Sequence, residues 1–122
     1  MNFDPRPYAE HYRAMNAAEK KEIRERVVEA HLEARRLAAG ILKADPTVVS
    51  VILFGSLTEG SPRRKEFDID LALDGGDLYK ALDLTEESTF HVDVVRLDLL
   101  PEHLRARIQA RGVVLASIPG RQ

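Results

Sequence analysis

Two short apolar runs set the terms for this chain. Residues 48–54, VVSVILF, are rich in β-branched side chains, and residues 67–73, FDIDLAL, match them in length but carry Asp68 and Asp70. Runs of this length suit strands, and the first, almost wholly apolar, suits a strand covered on both faces. Strand side chains alternate between faces. Asp68, Asp70 and Ala72 are therefore predicted on one face of the second strand, and Phe67, Ile69, Leu71 and Leu73 on the other. Two carboxylates about 5–6 Å apart, at an effective dielectric near 20, repel by roughly 3 kcal/mol. A cation between them turns that cost into binding energy, and oxygen-only donors favour Mg²⁺ or Mn²⁺ over zinc.

The third predicted strand, 91–96, repeats the pattern. In HVDVVR, Val92 and Val94 face one way while His91, Asp93 and Val95 face the other. If it lies beside the second strand, Asp93 completes a triad with Asp68 and Asp70. Three carboxylates around two divalent ions suit in-line phosphoryl or nucleotidyl transfer. Asp74, Asp77, Asp83 and Asp98 read as turn, cap and solvent residues. His91 reads first as a solvated or packed side chain, and His11, His31 and His103 lack metal-ligand spacing.

Around these strands the pattern is helical. Ile23, Val27, Ala30, Ala34, Leu37 and Ile41 recur at steps of three and four, predicting a helix over about 16–42 with Glu22 and Arg26 paired on its outer surface. Asp45-Pro46 ends it. Asp77 is a predicted N-cap for a helix to about residue 84; Pro101 opens another, which Gly112 closes. Residues 113–115 add a short edge strand. The reading is an α/β (α+β) domain with a small mixed sheet flanked by helices, covered mainly on one side. Residues 1–15, with Pro5, Pro7, Phe3, Tyr8 and Tyr12, read as an N-terminal arm suited to an interface, and 16–122 as one domain.

At 122 residues the chain leaves little room for a separate substrate-binding domain, and a net charge of −2 announces no nucleic-acid partner. With no cysteine, disulfides and thiolate metal sites are excluded. No apolar run approaches a membrane span and the start lacks a secretory pattern, so a cytoplasmic protein is expected.

Where the first strand ends, Gly55 permits a tight turn and close approach of a phosphate, and Ser56 offers a hydroxyl and an N–H. A helical turn over 57–60 would aim its free N–H groups at the same point. The loop is not a Walker A motif, because no G-K-S/T follows. Arg63, Arg64 and Lys65 are either a solvated run or contacts for phosphates or a partner.

The ordered set of a strand, Gly55-Ser56, Gly60, Asp68-Ile69-Asp70 and then Asp93, with the ending IQARGVVL, resembles the minimal nucleotidyltransferase (MNT) family of the DNA polymerase β-like superfamily over roughly residues 30–116. The resemblance implies that Gly55 and Ser56 hold the nucleotide phosphates and that Asp68, Asp70 and Asp93 bind Mg²⁺, two ions in all. It also implies that Asp93 helps deprotonate the attacking hydroxyl. The implied activity is transfer of AMP from ATP to a protein acceptor, by an antitoxin whose partner is a HEPN-domain toxin, with homo-oligomerisation open. Non-catalytic toxin binding and a stand-alone transferase acting on a small molecule or RNA end are the alternatives. Phe67 stands where the family often has Ser or Thr. LTE replaces the commoner small and basic residues after Gly-Ser, so Glu59 is expected to bring negative charge to the phosphate site.

Overall fold

A computed structural model describes residues 16–60, 62 and 64–119; the expected arm at 1–15 lies outside them. In chain order the elements are α1 (Ala17–Ala44), β1 (Val48–Phe54), a 3₁₀ turn (Gly55–Leu57), β2 (Ile69–Gly75), α2 (Leu78–Thr85), β3 (Val92–Arg96), a second 3₁₀ turn (Leu97–Leu99), α3 (Glu102–Arg111) and β4 (Val113–Ser117). The four strands form one sheet in the order β3-β2-β1-β4. β2 and β3 are parallel, joined by the α2 crossover that a parallel pair requires. β1 pairs antiparallel with both β2 and β4. The mixed sheet and its edge strand at β4 are as the sequence predicts.

The predicted periodicity of α1 is its buried face. Ile23, Ala30, Ala34, Leu37 and Ile41 are buried, with Val27 packed against them. Ala30, Ala34 and Ala38, fully buried at four-residue spacing, let the helix lie close to the sheet. Val51, Leu53, Ile69, Leu71 and Leu73 meet it from the strands. The alternate residues Ile52, Ala72 and Val95 point the other way and pack with Leu97 and Ile108 beneath α3. The sheet is thus covered by α1 and α2 on one face and partly by α3 on the other.

Two local expectations are corrected. Glu22 and Arg26 do not pair: Arg26 lies 3.8 Å over the Phe90 ring and reaches Glu29 at 3.3 Å. The aromatic face competes for the guanidinium, and Glu22 instead holds Lys65 Nζ at 2.8 Å. The second strand starts at Ile69, not Phe67, because pairing with β3 begins at Ile69–Val92 and Phe67 turns aside toward Phe90, their ring centroids 6.3 Å apart. Gly112 ends α3 as predicted but in extended backbone. There a glycine is needed for room, since a Cβ would lie 2.6 Å from Ile52 Cγ2.

Candidate active site

Strand register assembles the carboxylates. Asp70 is the partner of Asp93 across the parallel β2–β3 pair and of Phe54 across the antiparallel β1–β2 pair. It therefore sits between the third-strand aspartate and the end of β1. Gly55 follows Phe54 with φ +81°, and a Cβ there would come within 2.3 Å of Asp70 Oδ2. Only glycine satisfies both the left-handed backbone and the close approach. The Gly55 corner and Asp70 form one structure, although 15 positions separate them in sequence.

The electrostatics of Asp70 set it apart. It is half-buried, and among the described residues its carboxylate has no hydrogen bond. Burial pushes its pKa up to about 6, and the charges of Asp93 and Asp68 add to the rise while His91 opposes it. Asp68 precedes β2 and is exposed; its Oδ1 lies 3.1 Å from His91 Nδ1. The same Nδ1 is 3.9 Å from Asp93 Oδ1. One donor atom from each of Asp68, His91 and Asp93 falls within 4.8 Å of the others.

Asp68, Asp70 and Asp93 thus lie near one end of the β2–β3 pair, but the donor atoms that fall within reach of one another are those of Asp68, Asp93 and His91, not of all three predicted aspartates. The signal for His91 was present in its shared face with Asp93, but histidine on a strand is too common for that signal to decide. Two carboxylates and one imidazole, from Asp68, Asp93 and His91, form a donor set that a divalent cation fits, with Asp70 beside Asp93 in the strand register but outside that group.

The Gly-Ser corner differs in detail from expectation. The helical turn spans Gly55–Leu57, not 57–60, and the N–H groups of Thr58 and Glu59 both donate to Gly55 O at 3.0 Å. Those two are spent, which contracts any cradle to Ser56 and the start of the turn. Ser56 is exposed, and its hydroxyl has no hydrogen bond among the described residues. Glu59 does not project uncompensated charge at the site. Its Oε1 accepts from Arg107 Nε at 3.0 Å and from an Arg111 terminal nitrogen at 3.3 Å. These bonds hold its carboxyl below the ordinary value. The group of three carries net positive charge, with both arginines supplied by α3. Sequence could not show this, because 48 and 52 positions separate the partners.

Residues 38–119 match the family described as Polymerase beta, Nucleotidyltransferase. The chain belongs to that nucleotidyltransferase family. No curated protein matches it. Among solved structures, a toxin–antitoxin crystallised with AMP-PNP aligns with TM-score 0.57 and 22% identity, over 70% of this chain and 74% of the other. A mutant of the toxin–antitoxin MntA-HpeT, in which two aspartates two positions apart are glutamates, aligns with TM-score 0.56 and 20% identity over the same shares. At these identities the likeness shows the shared nucleotidyltransferase fold. Among the described residues, no helix is long and apolar enough to cross a membrane.

Proposed function

We propose that this nucleotidyltransferase is a minimal-type antitoxin that transfers AMP from ATP to a hydroxyl of a partner toxin of the HEPN class, in the cytoplasm. The observation that carries the reading is Asp70: half-buried, without a hydrogen bond among the described residues, crowded by Asp68 and Asp93, and pressed against the Gly55 corner. A carboxylate left in that state is costly to the fold and is understandable as a cation ligand. The names of the two aligned structures support the antitoxin setting. The aspartate pair altered in one of them has the spacing of Asp68 and Asp70.

Asp68, Asp70 and Asp93 would hold Mg²⁺, which neutralises the charge that develops on the phosphates. Ser56 and the N-terminal end of the 3₁₀ turn bind the polyphosphate. Asp93, beside Asp70 in the parallel register, takes the proton of the acceptor hydroxyl. That oxygen forms a phosphoester at the α-phosphorus as the α–β anhydride bond breaks and pyrophosphate leaves. The pairing of Glu59 with Arg107 and Arg111 weighs against a purely binding role. α1 exposes Val28 and Leu32, one turn apart on its outer surface. With the 1–15 arm they suit a partner or homo-oligomer surface.

The reading is tested by incubating the protein with α-labelled ATP, Mg²⁺ and cell extract. Label should appear on a protein, and not when Asp93→Asn replaces the native chain; label on RNA or a metabolite, or undiminished label with the variant, contradicts the proposal. Deleting residues 1–14 should weaken assembly while sparing ATP binding.

A further inference from the structure

A groove of about 420 Å³ runs between the C-terminal turn of α2 and the start of β3. That volume lies in the range of roughly 300–1,000 Å³ typical of ligand sites. Leu82, Phe90 and Val92 give it apolar walls, and Asp83, Glu86 and His91 stand exposed at its margin.

We infer that this groove seats a basic segment of the protein acceptor, with Asp83 and Glu86 reading its positive charge. The inference rests on the nucleotidyl-transfer reading and adds a partner chemistry to it. Position supports it first. In-line displacement puts the attacking oxygen and the leaving group on opposite sides of the phosphorus. The sheet order β3-β2-β1 puts the Gly55 corner, after β1, on one side of Asp70 and Asp93, on β3, on the other. A donor held at Gly55 leaves the β3 side for the acceptor, and β3 is an edge strand. His91 lines the groove, and its Nδ1 is 3.9 Å from Asp93 Oδ1. About two residues of extended chain, roughly 7 Å, therefore carry a segment from the groove past His91 to the carboxylates.

Charge complementarity supports it second. A helix C-terminus carries partial negative charge and is best complemented by cations. α2 does the reverse: its last turn holds Asp83 and no basic residue, and Glu86 is its C-cap. Neither carboxylate has a hydrogen bond or ion pair among the described residues. On α1, by contrast, Glu22, Glu25, Glu29 and Glu33 each have a basic partner. Nearby bases are directed elsewhere. Arg26 stacks on Phe90 and pairs with Glu29, while Lys80 and Arg36 line a separate pocket between α1 and α2, which Asp83 also borders. Thr85, buried in the groove, spends its hydroxyl on Leu82 O at 3.2 Å. The acidic margin is thus what remains to discriminate. It repels an acidic segment, and a wholly apolar one gains nothing from it.

The test is methyl-detected NMR on the full chain with Mg²⁺ and AMP-PNP present, so that the carboxylate site is occupied. The probes are blocked peptides of sequence Arg-Arg-Ala-Ser, Glu-Glu-Ala-Ser and Ala-Ala-Ala-Ser. The arginine peptide should shift the methyl resonances of Leu82 and Val92 and bind at least about tenfold more tightly than the alanine peptide. The glutamate peptide should leave them unmoved. Asp83→Asn combined with Glu86→Gln should weaken the arginine peptide about tenfold and leave AMP-PNP affinity unchanged. These exposed substitutions relieve the C-terminal end of α2 of negative charge, so the fold tolerates them. No shift at about 5 mM arginine peptide, equal shifts by all the peptides, or undiminished binding by the double variant overturns the inference.

In the assay with α-labelled ATP and cell extract, the double variant should place at most about a tenth of the native label on protein. Full label with the variant overturns this inference and leaves the transfer reading standing. Arginine peptide held in the groove of a chain that labels nothing supports the chemistry of the groove while sinking the transfer reading.

Discussion

Two aspartates stand in space near opposite ends of β2, Asp70 within the strand and Asp45 at the end of α1, and they live under opposite conditions. Beyond the far end of β2, Asp45 closes α1 and is almost fully buried, at 2% exposure. Its carboxylate accepts from Thr47 N at 3.0 Å, from the Thr47 hydroxyl and from Asp77 N at 2.8 Å. One side chain thereby ties the end of α1, the approach to β1 and the turn after β2. Those hydrogen bonds, Thr47 first, hold its pKa down at about 2. At the near end Asp70 is less buried, has no such donors among the described residues, and is pushed up to about 6. Burial alone does not separate a structural carboxylate from a functional one. The decisive difference is whether the protein itself supplies the donors or leaves the charge for something else to satisfy.

The comparison breaks most visibly in activity. Asp70→Asn should lower nucleotidyl transfer by about a thousandfold or more, while melting at or above the native temperature at neutral pH, since it removes a crowded charge. Transfer within about tenfold of native would mean that Asp70 is no ligand. Asp45→Ala should do the opposite. Leaving the Thr47 and Asp77 donors without their acceptor should lower Tm by about 10 °C, with metal and nucleotide affinity unchanged. Gly55→Ala should act on both properties at once. Its left-handed backbone makes a side chain cost about 1–2 kcal/mol, and the added methyl displaces Asp70. A Gly55→Ala protein with native transfer would separate the corner from the carboxylate.

The smallest effect is in pH dependence, where the two aspartates act with opposite sign. Asp70 has a folded value of about 6 against an ordinary 3.8, so the folded state binds its proton more tightly than the unfolded one. Stability from this group is full below 3.8 and is lost as pH rises through about 6. Asp45, at about 2 against 3.8, contributes stability above 3.8 that is lost as pH falls through about 2. Melting curves from acid to neutral pH should show both limbs. Asp70→Asn should erase only the upper limb, by a few degrees at most given that carboxylate's partial hydration, and Asp45→Ala only the lower.

Much of this was legible in sequence because it depends on period and local chemistry. The α1 stripe from Ile23 to Ile41, the cap at Asp77 and the alternation that puts Asp70 opposite Leu71 are short-range properties. The contact between Gly55 and Asp70, the arginine pair on Glu59 and the knot at Asp45 are long-range. Each joins residues whose meeting depends on how the sheet and α3 fold together, and no local period encodes that. Arg26 shows the same limit on a smaller scale. Helical spacing offered it Glu22, but the tertiary fold offered it the Phe90 ring. His91, just before β3, lies between the two cases, visible by its spacing from Asp93 but meaningful only beside Asp68.

The most direct test of the central claim is calorimetric titration of Mn²⁺, in the presence of AMP-PNP at neutral pH, into the native chain, Asp45→Ala and Asp70→Asn. Native protein and Asp45→Ala should bind the ion alike, and Asp70→Asn should bind it at least about tenfold more weakly despite equal or greater stability. Equal binding by Asp70→Asn, or weakened binding by Asp45→Ala under conditions where it is fully folded, would contradict the division of roles between the two aspartates.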